Sequence, residues 1–406
     1  MIPRLGAPYW RVWTASTASS LGTGLTWTAT SLLAASYTHD PRLVSLVGAA
    51  SFLPALLIGL PAGAVVDRSD RRRVMWQTDA ARAVLMVALA GMAVSRGGGI
   101  ALLCLLCLLL GAGEVLFSNA SSAMTPMLVA GPSLSQANAW LLSGQVITAE
   151  FIGLPLGAVL YALSPGLPFG ADAATFAIAA LLVVGLPGTF RTDRGGPTTL
   201  RQDVREGVVW LWSHSLLRLM AVLLAVINLT FAAGESTLVL LALDRLHVGQ
   251  LGYSLLLTTA GIGALVGSFA TPRLQRRIGI SGVIRLSLVA MVVGLAIPGL
   301  TRSVALVGLA FALSGAGGML WNIVSITLRQ DLVPAPLLGR VIAAYRLVGV
   351  GTIPIGAALG GLVAHAGGLR APYLLSAVLL GVAAVICLPR LGAGRLDAAL
   401  AEPVSR

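Results

Sequence analysis

Three glutamates stand inside long apolar runs: Glu114, Glu150 and Glu235. A carboxylate in hydrocarbon is costly, and burial that lifts its pKa towards neutrality turns it into a group able to take up and release a proton. A structural pair or hydrogen bond to a neighbouring helix is the other reading of each. The remaining chemical vocabulary is thin. There is no His-Glu-x-x-His, no Asp-rich pair of motifs and no Walker A loop, and the chain has only four His. Cys104 and Cys107 are spaced as C-x-x-C, without the second pair or nearby His that a metal site needs. Neither enzyme activity nor a metal site is therefore expected.

Those glutamates need elements that carry them into an apolar phase. Of 406 residues, 57% are hydrophobic and 10% charged, against roughly 25% charged in a soluble domain. Apolar runs of roughly 17–25 residues, enough to cross a bilayer, recur on both sides of a polar, arginine-bearing segment from Arg191 to His214. The expected fold class is an all-α membrane protein with about twelve transmembrane helices in two six-helix bundles. The boundaries drawn are 1–188 for the first bundle, 189–215 for a central cytoplasmic loop, 216–390 for the second bundle and 391–406 for a short cytoplasmic tail. Glu114 then falls in the fourth span, Glu150 in the fifth and Glu235 in the seventh. The first run holds Trp13 and Trp27 without a cleavage motif, so it reads as a span and not a leader.

All 27 basic residues are Arg, and the net charge is +12. In a soluble protein such a balance would invite nucleic acid; in this one it follows the excess of basic residues at cytoplasmic membrane faces. With a cytoplasmic N-terminus most arginines fall at the cytoplasmic ends of the spans. Both termini are thus expected inside, in the plasma membrane. The expected partners are the lipid bilayer and a small-molecule substrate, with no nucleic acid, and the chain acting as a monomer.

The densest charge cluster closes the second span, in Gly59-Leu-Pro-Ala-Gly63-Ala-Val-Val-Asp67-Arg68-Ser-Asp70-Arg71-Arg72-Arg73. Gly59 and Gly63 share one helix face and allow another helix to approach closely. Asp67 ends that helix beside arginines able to pair with it. Shifted by 204 positions, Gly59, Gly63, Arg72 and Arg73 meet Gly263, Gly267, Arg276 and Arg277, while Asp67 and Arg68 meet Thr271 and Pro272. Pro155 and Gly157 find Pro354 and Gly356 at a slightly different offset. The halves are parallel repeats, a transporter architecture. The cluster resembles the loop signature of the major facilitator superfamily, with Asp70 where that family usually has Gly. Ser19-Ser-Leu-Gly22, Gln136-Ala-Asn-Ala139 and Gly339-Arg-Val341 are similar to its drug and siderophore efflux branch, the enterobactin exporter-like and macrolide-efflux-like proteins. Thr23 stands where that branch often has an acid, and Ala158 where its antiporter motif has Pro.

The resemblance implies the major facilitator fold and proton-coupled export of a drug- or siderophore-like amphipathic molecule by alternating access. No cofactor beyond the proton-motive force is expected. The alternatives are a proton-coupled importer of a small polar metabolite and a non-transporting receptor on the same fold. The resemblance sets spans one, four, seven and ten around a central cavity, which puts Glu114 and Glu235 ahead of Glu150 for proton coupling. It places Trp27, Asn228, Trp321 and Asn322 on the cavity wall, where aromatic and amide groups suit a bulky, partly apolar substrate. It also implies a gating loop of Gly59, Gly63, Asp67, Arg68 and Arg72, whose ion pairs hold the outward-facing state. Asp79 and Arg82, close in the third span near the cytoplasmic face, are expected to form a structural pair with the basic loop. Arg346 is expected to meet an acid or snorkel, and Asp172 to cap the sixth span.

Overall fold

Hydrocarbon offers a backbone N–H or C=O no partner but its own chain, so apolar runs of this length close their hydrogen bonds as helices. A computed structural model describes residues 6–129, 133–186, 188, 190, 200–334 and 337–391, and among these it contains helices and no strand. The first half comprises α1 (Ala7–Tyr37), α2 (Pro41–Arg68), α3 (Arg71–Ser95), α4 (Gly99–Leu128), α5 (Ser133–Val146), α6 (Leu154–Leu163) and α7 (Leu167–Val184). A π-helical turn, Ile147–Gly153, joins α5 to α6, immediately before Pro155, which has no N–H to return to the preceding turn. The second half comprises α8 (Leu200–Ser213), α9 (Ser215–Glu235), α10 (Leu238–Leu240), α11 (Gly249–Leu300), α12 (Val304–Leu332), α13 (Leu338–Gly367) and α14 (Ala371–Cys387).

Ten described helices are long and apolar enough to span a bilayer. α11 is two spans joined at Gly279, whose φ of 69° and ψ of 174° are not helical. With α1, 31 residues long, and α11 counted as two, twelve long helical segments stand among the described residues. Their outward faces are apolar: Val84, Leu181 and Val385 are 69%, 72% and 72% exposed, which suits lipid and not water.

Two compact units emerge, residues 1–39 with 50–197, and residues 40–49 with 198–406. The first has its core in Val12, Met75, Phe117, Met124 and Val183. The second has its core in Leu217, Met220, Ile284, Leu288, Val324 and Leu328. Each contains the same close crossing of helices. In the first, a Cβ on Gly157 would meet the backbone of Leu25; in the second, one on Gly356 would meet the backbone of Leu229. Hydroxyls tie each crossing further, Thr28 Oγ1 donating to the Leu154 carbonyl at 3.1 Å and Thr352 Oγ1 to the Ala225 carbonyl at 3.0 Å. With no hydrophobic drive between helices in lipid, small residues and side-chain-to-backbone hydrogen bonds hold such pairs.

The central segment departs from the loop expected there. Residues 191–199 lie outside the described ones, but Leu200–Ser213 is the helix α8. It lies on α13, where Gly207 sits against the Arg340 backbone and Arg340 Nη1 reaches Glu206 Oε2 at 2.5 Å. Apolar residues Val208 and Leu211 turn towards the second core. That amphipathic spacing, interrupted by charge, is what a hydropathy reading alone takes for a loop.

Candidate functional site

Glu114 of α4 meets Arg82 of α3, whose Nη2 donates to Glu114 Oε2 at 2.7 Å. Arg82 Nη1 lies 3.5 Å from Asp79 Oδ1 and 3.4 Å from Ser19 Oγ, and Nη2 lies 3.4 Å from Thr23 Oγ1. The guanidinium stacks on Phe176 of α7, 3.9 Å from the ring centroid. The side chain of Arg82 is 4% exposed and that of Asp79 0%, whereas Glu114 is 46% exposed. Asp79 Oδ2 and Arg82 Nε are buried with no hydrogen-bond partner among the described residues. At 1.5 Å per residue, Arg82 stands about 16 Å along α3. That depth corrects the expected pairing of Asp79 and Arg82 with the basic loop: Arg82 pairs with Asp79 and with Glu114. Thr23, found where an acid is common in the resembled branch, faces this same arginine, which takes its acids from α3 and α4 instead.

Asp172 corrects a second expectation. It is not a helix cap; Gly166 precedes α7, and Asp172 lies within the helix, 0% exposed. Its Oδ2 accepts from Thr26 Oγ1 at 2.5 Å, and its Oδ1 from Thr175 Oγ1 at 3.0 Å. Gly22 of α1 makes room for it, since a Cβ there would overlap the Asp172 carboxylate and the Thr175 hydroxyl. The sequence carries part of the signal, an acid three residues into the apolar run Phe169–Leu186 and the Asp79-x-x-Arg82 spacing of one helix face.

The other two acids stand apart from this cluster. Glu150 sits exposed in the π-helical turn. Glu235 is the exposed last residue of α9, where a turn and the short α10 interrupt the seventh span that the sequence suggested was continuous.

At the loop after α2, Asp70 has a definite task. Its Oδ1 accepts from the backbone N–H groups of Arg72 at 3.0 Å and Arg73 at 3.4 Å, so it caps α3. Arg72 Nη1 donates to the Leu186 carbonyl at 2.5 Å, and Arg68 is exposed. Asp67 lies in α2, and its side chain is outside the described residues. Gly59 and Gly63 do not make the close approach expected of them, for a Cβ on either meets nothing within 4 Å. The near contact on α2 comes earlier, where Gly111 of α4 lies against the Ser51 carbonyl. Their repeat partners do behave as expected: Gly263 and Gly267 lie against the α12 backbone at Ala312 and Ala316.

Of the wall candidates, Trp27 is half-buried and packs edge-on against Phe52, with ring centroids 5.3 Å apart. Asn228 is half-buried and Asn322 exposed. Trp321 is 4% exposed and belongs to the core of the second unit. Arg346 is exposed. The second unit holds a buried arginine of its own, Arg329 of α12, whose place in the sequence suggests only a charge at a cytoplasmic helix end. It stacks 3.9 Å from the Tyr345 ring centroid and donates to Ser325 Oγ at 3.1 Å.

A family model described as transmembrane secretion effector matches residues 6–402. The chain is 29% identical over 395 residues to the multidrug efflux pump Tap of Mycolicibacterium fortuitum, covering 93% of this chain and 94% of that one. Among solved structures, it superposes on a mutant of the nucleoside transporter NupG with a TM-score of 0.76 at 15% identity, over 94% of this chain and 99% of that one. A bacterial homologue of the iron transporter ferroportin gives 0.73 at 17% identity, over 95% and 98%. At such identities the structures speak for the fold.

Proposed function

We propose, from the premise that this chain belongs to the transmembrane secretion effector family of the major facilitator superfamily, that it is a proton-driven exporter of amphipathic small molecules. Its substrates are drug- or siderophore-like, and alternating access moves them. The observation that carries the reading is a buried arginine shared between two acids, Glu114 and Asp79, in a chain alike along its length to a multidrug efflux pump. Protonation of Glu114 removes its charge and releases Arg82 to Asp79, while loss of that proton draws the guanidinium back. A charge pair between α3 and α4 thereby gains two arrangements, which is what coupling to a proton gradient requires. The half-exposed Glu114 gives the proton its way in. The chain works as a monomer in the plasma membrane with both termini cytoplasmic. It uses the proton-motive force, with no cofactor, and performs no reaction on what it carries.

The test is accumulation of a cationic dye and of a macrolide in an efflux-deficient host. Cells with the wild type should hold less of at least one compound than cells with an empty vector, and a protonophore should erase the difference. Glu114→Gln should accumulate as the empty vector does. Higher accumulation with the wild type would reverse the direction of transport, and export indifferent to the protonophore would exclude proton coupling.

A further inference from the structure

We infer that the coupling proton is stored on Asp172, the fully buried carboxyl of α7, and that the hydroxyls of Thr26 and Thr175 are built to hold it both with and without that proton. The inference rests on the proton-driven reading above and adds to it: Glu114 exchanges the proton with the outside, and Asp172 holds it between exchanges.

Charge balance comes first. Asp79, Glu114 and Asp172 are three acids around one cation, Arg82. Arg82 gives its hydrogen bonds to Glu114 and Asp79, while Asp172 is met by two hydroxyls. An ionised carboxylate at 0% exposure with no cation in contact is the costliest charge of the set. The charged groups facing it come from α3, as Asp79 and Arg82, and from α4, as Glu114. α1 contributes hydroxyls and Gly22, and α6 carries only the phenol of Tyr161. Among these, Asp172 is the fully buried carboxyl that hydroxyls, and no arginine hydrogen bond, hold in place.

The hydroxyl geometry is the second, independent argument. Thr26 Oγ1 has one hydrogen and two acceptors, Asp172 Oδ2 at 2.5 Å and Met86 Sδ at 3.7 Å. Thr175 Oγ1 likewise has Asp172 Oδ1 at 3.0 Å and the Asp172 carbonyl at 2.9 Å. When Asp172 is ionised, both threonines donate to it. When it is protonated, its O–H donates to Thr26 Oγ1, and the threonine hydrogen turns to Met86; Thr175 turns to the carbonyl. Every hydroxyl is satisfied in both states. The step is only R–COO⁻ + H⁺ → R–COOH, with the proton passing by way of Glu114, the one acid of the cluster open to solvent. Arg82, hydrogen-bonded to Glu114 and Asp79, shifts between those two as the charge on Asp172 comes and goes.

The experiment is infrared spectroscopy of the reconstituted protein at neutral pH, with no substrate present. A protonated-carboxyl C=O band is expected in the wild type, absent in Asp172→Asn. It should shift to higher frequency in Thr26→Val, because that near-isosteric change removes the hydrogen bond and leaves the carboxyl in place. Absence of the band in the wild type, or a band that a folded Thr26→Val leaves where it was, overturns the assignment. Thr26→Val decides alone where Asp172→Asn does not fold. The same vesicles, assayed for ethidium movement, separate the two claims. In support, Asp172→Asn loses transport driven by a pH gradient. Gradient-driven transport at the wild-type rate in Asp172→Asn overturns the inference. A wild type that moves no probe compound defeats the exporter reading, while the infrared band still decides where the proton sits.

Discussion

Arg82 and Arg329 are both buried, and each stacks on an aromatic ring at 3.9 Å. What surrounds them differs. Arg82 has Glu114 at 2.7 Å and Asp79 at 3.5 Å. Arg329 has the Ser325 hydroxyl, which is itself joined to the Tyr345 phenol at 2.8 Å. A cation among carboxylates can be switched by a proton; one held by a ring and two hydroxyls offers nothing that titrates near neutrality. Nor are they repeat equivalents. The position 204 residues after Arg82 is Leu286, and the position 204 before Arg329 is Thr125. The repeat preserves the close helix crossings, Gly157 on Leu25 and Gly356 on Leu229, and lets the charges diverge. Packing is common to the two units, and the arginine held between carboxylates belongs to the first.

The strongest way to break this contrast is Arg82→Met. It strands Asp79 and Glu114, so we expect a loss of roughly 3–5 kcal/mol, read as a lower thermal midpoint in detergent, and export no better than the empty vector. Adding Asp79→Asn removes one stranded charge. It should recover much of the midpoint and none of the export; recovery of both would make the cluster a structural pair. Next in size is a pair of glycine substitutions that probes the repeat itself. Gly263→Leu drives a side chain into the α12 backbone and should cost about 1–3 kcal/mol. Gly59→Leu enters open space and should cost under about 0.5 kcal/mol. Loss of transport in Gly59→Leu at unchanged thermal midpoint would assign that glycine to gating.

The architecture was legible because it rests on run lengths. Apolar stretches interrupted by arginines, and a motif repeated at a fixed shift, are properties of the chain alone. α8 was not legible, because a short amphipathic helix with several charges averages to the hydropathy of a loop. The cluster was legible in part. Glu114 stands out as an acid in an apolar run, but Asp172 is as deep and reads as a cap, since it lies near the start of its run. Whether an acid there caps a helix or points into a bundle depends on where the helix begins, and Pro168 moves that start towards the N-terminus. Arg82 lies close enough to the basic loop in sequence to look like part of it. Only the rise of α3 separates them. The partners of Asp172 come from α1, far away along the chain, and no local spacing announces them.

Arg329→Met sharpens the comparison from the other side. The change removes a buried cation that pairs with hydroxyls, so it strands no carboxylate, and the Ser325–Tyr345 hydrogen bond can remain. Stability within about 1 kcal/mol of the wild type is expected, together with export that keeps its sensitivity to the protonophore. A loss of export as deep as that of Arg82→Met, at wild-type thermal midpoint, would put a second proton-linked centre in the second unit.

The smallest effect is expected where a charge pair faces water. Asp40, between α1 and α2, accepts from Arg42 Nη2 at 2.7 Å and from the Arg42 backbone N–H at 2.9 Å. These bonds from Arg42 hold the Asp40 carboxyl down at about 2, below the roughly 3.9 of an unfolded aspartate. A depressed carboxyl stabilises the folded state above its unfolded pKa, and the contribution fades as pH falls through the folded value. Arg42→Ala should therefore lower the thermal midpoint by a small, constant amount above about pH 4, and the gap to the wild type should close as pH approaches 2. A gap that instead widened towards acid would mean that Arg42 acts on some group other than Asp40. The contrast with Arg82 would then no longer be one of burial alone, since the exposed arginine would also be working through a partner its nearest hydrogen bonds do not identify.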